Sequence, residues 1–245
     1  EEGFSVPLIV VWKDKIESGR TVTDFVSFPD IAPTLLDIVG VPIIDQMTGK
    51  SFKEQLLSDQ SGRIEFERNY TLLGKERHDI GRVEGDKLSV SYPVRAIRTD
   101  QYLYIKNFIP SRWPVGNPEY GLLNCDNSPT KSHLISLKGD QKMGNYYQMS
   151  FGKRPEEELY NIIEDPDCFV NLADNINYSK IKDSLWQSLK TKLVKQKDPR
   201  ILGKGEIFDF YPYSRIPRQQ KLYNDPNYDP IKIFEDKYNQ KINVN

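Results

Sequence analysis

The stretch NYTLLGKERHDIGR, residues 69–82, sets one of the chain's two histidines among charged neighbours. An apolar run, Tyr70-Thr71-Leu72-Leu73, stops at Gly74, and Lys75, Glu76, Arg77, His78 and Asp79 follow. A strand that ends on glycine and then presents polar groups is a common way to place side chains at the rim of a pocket. Arg77 suits bidentate contact with an oxyanion, and His78 can donate a hydrogen bond or a charge. Asp79 either orients the imidazole or caps the following turn, and Glu76 either accepts from hydroxyl groups or pairs with Arg77. The competing account is a solvated charged turn. Arg95, in SYPVRAIRT, stands on a predicted strand in an apolar and aromatic setting, where an arginine serves as an ion-pair partner or as a ligand contact. His133, in SPTKSHL, follows a Ser-Pro turn at a helix start, where capping accounts for Ser128, Thr130 and His133 without any chemistry.

Other chemistries lack their residues. Cys125 and Cys168 are too few for a disulfide scaffold and show no metal-ligand spacing, so they pair only if the fold brings them together. There is no glycine-rich phosphate loop, no Ser-His-Asp pattern with supporting context, and no basic-aromatic stripe for nucleic acid. The 245 residues are 38% hydrophobic and 28% charged with a net charge of −1, which permits a buried core and gives no general attraction to nucleic acid or anionic membrane. No apolar run reaches membrane-spanning length.

The elements that must carry these side chains fall into two textures. Val6–Trp12 is a continuous apolar run of strand length, as in strands covered on both faces. FPDIAPTLLDIVG then reads as a helix with Asp30 as N-cap, Pro33 in the first turn, a stripe of Ile31, Leu35, Leu36 and Val39, and Gly40 as the left-handed stop. One strand-loop-helix unit cannot bury both faces of its strand, so the chain is expected to start in the middle of a larger layered domain. From about residue 64, NYTLLG, YPVRAIRTDQYLYIKNF and EELYNII read as a small antiparallel sheet, with EDPD (164–167) as the turn after its last strand. Residues 179–196 form an amphipathic helix with Ser179 as cap and Ile181, Leu185, Leu189 and Leu193 on one side. Residues 198–245 read as an extended tail with a short helix at 230–239.

Several of these segments resemble one family. VPLIVVW…KIESGRTVTDFVSFPDIAPTLLDIVGVP…MTGKSF resembles the stretch that follows the second set of metal-binding residues in sulfatases. ELYNIIEDPDCFVNLAD is similar to a segment of that family's small C-terminal sheet. SYPVRAIRTDQYLYIKNF and NSPTKSHL most resemble the N-sulfoglucosamine sulfohydrolase (heparan N-sulfatase) group. The resemblance implies an α/β fold of the alkaline-phosphatase-like type. Residues 1–63 would be the closing strand-helix unit of the large catalytic domain, 64–200 the antiparallel-sheet subdomain with its packed helix, and 201–245 a tail.

It also implies hydrolysis of sulfate groups, sulfamate or ester, on glycosaminoglycan-type glucosamine sugars. Sulfatases use a cysteine converted to formylglycine within C-x-(P/A)-S-R, and aspartate and asparagine or histidine ligands that hold calcium. Neither Cys125 in CDNSP nor Cys168 in CFVNL fits that motif, and no residue here matches the metal ligands. Formylglycine and calcium are therefore expected from an upstream N-terminal half of the same protein, the expected partner of this chain besides the sulfated sugar; nucleic acid and membrane are not expected. Within this chain the resemblance raises His78, with Arg77, Glu76, Asp79 and Arg95, as substrate-binding candidates. The aromatic loop SRWPVGNPEYG either stacks on sugar rings or packs on the protein body. Expressed alone, a chain with an unpaired inner strand is expected to self-associate. The competing readings are a non-catalytic module that binds sulfated glycan, and a fragment of a related phosphohydrolase.

Overall fold

The computed structural model describes residues 3–77, 81–85 and 87–242, without the side chains of Leu88, Arg218 and residues 239–242. In chain order the helices are α1 (Ile31–Ile38), α2 (Lys53–Leu57), α3 (Pro129–Ser136), α4 (Gly144–Phe151), α5 (Ser179–Lys195), α6 (Pro217–Tyr223) and α7 (Pro230–Ile242). The strands are β1 (Tyr70–Lys75), β2 (Val83–Glu84), β3 (Lys87–Leu88), β4 (Val94–Thr99), β5 (Tyr102–Asn107) and β6 (Glu157–Asn161).

β1, β4, β5 and β6 form one sheet in the order β1-β4-β5-β6, and β2 and β3 form a separate two-stranded ribbon. The flanking hydrogen bonds fix the sense of the larger sheet. Tyr92 N donates to Glu76 O (2.7 Å) ahead of β4 and beyond the end of β1, so those two strands run in opposite directions. Ile162 N donates to Gln101 O and Asn107 N to Glu156 O, so β6 descends as β5 rises. Only Asp100 and Gln101 separate β4 from β5, the span of a tight hairpin. The small antiparallel sheet and the long helix after it are those expected from the aromatic and β-branched runs.

The chain divides into two compact units. The first comprises Glu1–Leu73, Ala96–Tyr104 and Glu158–Leu189. Its core gathers Phe52, Ile97, Leu103, Tyr104, Leu159, Ile162 and Leu189, all buried. The Tyr104 and Trp186 rings lie 6.3 Å apart, which seats α5 in this core. Its loops are tied by charge. Arg68, buried, donates from Nε to Glu65, from Nη1 to Asp30 and Phe25 O, and from Nη2 to the carbonyls of Lys50 and Ser51. A guanidinium with every N–H engaged escapes the desolvation penalty that an unpaired one would carry.

The second unit comprises Gly74–Arg95, Ile105–Glu157 and Lys190–Asn245. One part of its core is Leu122, Tyr147 and Phe151, with Val115, Cys125 and Leu134 packed against it. Lys131 is buried beside it, and its ammonium donates to Leu122 O, Cys125 O and Asn127 Oδ1. Another part is aromatic: Phe234 of α7 meets the Phe210 ring edge-on at 6.0 Å and stacks with Tyr238 at 5.9 Å.

Several sequence expectations are corrected. Val6–Trp12 forms no strand; Ile9 and Val11 are 86% and 87% exposed. An apolar run becomes a strand only when a neighbour pairs with its backbone. Helix α1 exists and Gly40 takes φ 72° after it, yet the buried positions are Pro33 and Thr34, while Leu35 and Val39 of the supposed core stripe face out. Asp30 makes no cap bond to α1; its carboxylate instead accepts from Ser27 N and Lys50 N and pairs with Arg68. Ser179 begins α5 rather than capping it, and Asn175 caps the preceding turn by accepting from Asn177 N. The tail is not merely extended: besides α7 it holds α6 and a 3-10 turn at Gly205–Asp209. Cys125 and Cys168 are not joined in a disulfide.

Candidate functional site

The end of β1 and the start of β4 bring the candidate residues of the second unit together. Gly74 makes this possible, because a Cβ there would stand 3.2 Å from Cδ of Arg95 and crowd the arginine as it crosses the strand. Arg95 donates from Nη2 to Glu76 Oε1 (2.9 Å), from Nε to Asp198 Oδ2 (2.8 Å), and from Nη1 to the carbonyls of Lys75 and Val94. Glu76 also receives a two-pronged contact from Arg200, Nε to Oε1 at 3.2 Å and Nη2 to Oε2 at 2.8 Å. Arg95 and Arg200 are side by side in charge terms, and one carboxylate bridges them. All three side chains, with Asp198, are at most 16% exposed.

A second knot of charge lies in the same unit. Asp209 accepts from Ser91 N (2.7 Å) and from Arg112 Nη2 (3.1 Å). Arg112 also donates to Ser91 O, Ser91 Oγ and Glu84. Burial alone would raise the Asp209 carboxyl, but the Ser91 N–H and the Arg112 guanidinium outweigh it and hold the group below its ordinary value. Arg82, almost fully buried, donates to Val90 O and Pro114 O, and its Nε meets no hydrogen-bond partner among the described residues. Burial, followed by the nearby charge of Arg112, lowers Arg82 to about 10. Burial likewise lowers Arg77, against the pull of Asp209 and Tyr213.

Of the five sequence candidates, Glu76, Arg77 and Arg95 are described; His78 and Asp79 lie outside the described residues. Glu76 and Arg95 share the cluster above. Arg77 points elsewhere, donating from Nη1 to the carbonyls of Phe208 and Tyr211. Gly81 O accepts from Asn117 N at 2.7 Å. The Trp113 loop packs on its own unit, with Lys153 Nζ 5.1 Å from the Trp113 ring centre.

Asp198, Arg200, Asp209 and Arg112 were not singled out from the sequence. Arg200 sits 124 positions from Glu76, and no local pattern announces such a partner. The only hint was Asp198-Pro199-Arg200, two opposite charges at a proline turn.

The arrangement can fix and present charged groups, and it can receive hydroxyl or anionic groups at its rim. Among the described residues, no group of three or more His, Cys, Asp and Glu is placed to hold a metal ion.

Residues 1–112, which include β1, β4 and β5, match the family described as N-sulphoglucosamine sulphohydrolase, C-terminal. An ulvan-active sulfatase of Formosa agariphila is 28% identical over 94% of this chain. A second ulvan-active sulfatase of that organism is 28% identical over 80%. The chain spans 34% of the length of each of these relatives. A solved protein in complex with its substrate D-glucosamine-2-N,6-O-disulfate is 19% identical, with 77% of this chain and 28% of that one covered and a TM-score of 0.49. The first 112 residues are thus similar to the N-sulphoglucosamine sulphohydrolase C-terminal family, and most of the chain is similar to part of two ulvan-active sulfatases.

Proposed function

We propose that this chain is the C-terminal part of an enzyme that removes sulfate groups, as sulfamate or ester, from acidic sulfated sugars. In that enzyme the formylglycine nucleophile and calcium come from an N-terminal half. The end of β1, with Glu76 and residues 77–79 after it, and Arg95 of β4 form one wall of the sugar pocket. The observation that carries this reading is that the family match over residues 1–112 takes in the very strands that bring Glu76 and Arg95 together. The chain's own contribution is binding and orientation. Glu76 is suited to accept from sugar hydroxyls and His78 to meet an anionic group, while Arg77, held by the Phe208 and Tyr211 carbonyls, ties the end of β1 to the C-terminal segment.

Two substrate classes follow from two observations. The family match favours N-sulfated or O-sulfated glucosamine of the glycosaminoglycan type. The longer alignments with ulvan-active sulfatases favour ulvan. The test is release of sulfate by the full-length protein from sulfated glucosamine oligosaccharides and from ulvan oligosaccharides. Turnover of either supports the sulfatase reading and names the substrate. Hydrolysis of phosphate esters with no sulfate release would reject it in favour of a related phosphohydrolase. Binding of sulfated oligosaccharide with no turnover by an intact protein would favour the non-catalytic module.

A further inference from the structure

We infer that Arg200 is a positioning residue for Glu76, reaching from the C-terminal segment to set the geometry of the proposed sugar wall. This inference rests on the reading of Glu76 as a group in that wall, and it assigns a role to a part of the chain outside the family-matched stretch.

The geometry is specific. Arg200 presents its fork to both oxygens of the Glu76 carboxylate, through Nε to Oε1 and Nη2 to Oε2. A planar fork on a planar carboxylate fixes rotation as well as distance, which a lysine ammonium cannot do. Arg95 takes Oε1 from the neighbouring strand, so Glu76 is gripped from two directions. Arg200 is itself held. Its backbone N–H donates to Asp198 Oδ1 (2.9 Å), its Nη2 reaches Ser91 Oγ, and its guanidinium lies 5.7 Å from the centre of the Phe208 ring. Asp198 closes the loop by accepting from Arg95 Nε.

Buried ion pairs of this kind are weak evidence for net stability, because desolvation cancels much of the attraction. What they provide is a single arrangement, since any other leaves a charge buried without a partner. A carboxylate that must meet a sugar hydroxyl within a few tenths of an ångström needs this kind of hold.

The test uses the full-length protein and the sulfated oligosaccharide that it turns over. Glu76→Gln, Arg200→Met and Arg200→Lys are compared by KM, kcat and melting temperature. We expect Glu76→Gln and Arg200→Met each to raise KM about tenfold with kcat within about twofold, the pattern for loss of binding that ground and transition states share. Arg200→Lys should recover most of that loss, to about threefold above wild type, because charge returns without the fork. If Glu76→Gln raises KM and a folded Arg200→Met does not, the positioning role is overturned and the sugar-wall reading stands. If neither moves KM, the wall reading fails and this inference with it. Where Arg200→Met does not fold, Arg200→Lys decides: a wild-type KM in that variant assigns Arg200 to structure alone.

Discussion

Arg68 and Arg95 are both buried arginines, and what separates them is the character of their partners. Arg68 spends its five N–H groups on two carboxylates and three carbonyls of loops that it ties together. Arg95 shares its carboxylate, Glu76, with another arginine at the end of a strand, so moving one member moves the others. This dependence makes Gly74→Ala a sharp probe. The new Cβ would stand 3.2 Å from Arg95 Cδ, and the arginine must give way. We expect a stability loss of about 1 kcal/mol, of the size typical for mild overpacking, with a rise in KM on the sulfated substrate. A variant with wild-type melting and KM would show that Arg95 has room to spare. Asp209 offers a test by pH. Its carboxyl lies below its ordinary value of 3.8, so the charged form contributes stability that is complete above that value. The contribution is lost as pH falls through the folded-state value. Asp209→Asn should therefore melt lower than wild type near neutral pH, and the gap should narrow as acid protonates the wild-type carboxyl. A gap that stays constant down to about pH 2 would deny the linkage.

At the scale of elements, close approach decides one position and chain distance another. Gly49 lies so near the backbone of Pro29 that any Cβ would overlap its carbonyl, and backbone cannot swing aside as a flexible side chain can. Gly49→Ala should cost about 2 kcal/mol or more, read as a lower melting temperature of the full-length protein. The segment that follows α5 carries Asp198, Arg200 and Asp209, and it also supplies the two carbonyls that hold Arg77. Ending the full-length protein at residue 197 should abolish activity on the sulfated substrate even where the remainder stays folded by circular dichroism. Retained activity would mean that these ties are dispensable. The same elements show what a sequence can reveal. β1, β4, β5 and β6 were legible because Tyr, Val, Ile and Leu repeat at strand spacing between turn residues, and α5 because its leucines recur every four positions. Helix α1 was legible as an element but not in its orientation: Thr34, not Leu35, is buried, its hydroxyl donating to Asp30 O and accepting from Phe52 N. Helix α7 was legible over 230–239, whereas the seven residues of α6 were read only as extended tail. At the site, Glu76 and Arg95 stood out as charges at strand ends. Arg200 did not, because a pair that spans 124 positions is made by the fold and by no local rule.

At the scale of the whole molecule, the apolar surface near the N-terminus sets the behaviour of the chain in solution. Val6, Leu8, Ile9 and Val11 are exposed, and so are Leu35 and Val39 of α1. Scattered apolar side chains are ordinary on a surface, but a run of four within six positions is a patch that water disfavours. An extended run outside any sheet can also pair with another strand. On the proposed function, its natural cover is the large sheet of the N-terminal half. Residues 1–245 produced alone should therefore associate with themselves, visible as a mass above 28.5 kDa by light scattering that grows with concentration. Replacing Ile9 and Val11 together by lysine should shift that distribution toward monomer, because a charge every second position opposes edge pairing. The same pair of changes in the full-length protein should have the opposite consequence and destabilise it, since there the two side chains would be buried. Monomeric behaviour of the unmodified chain at high concentration, together with an indifferent full-length double variant, would show that Val6–Trp12 needs no cover and that the apolar run serves another end.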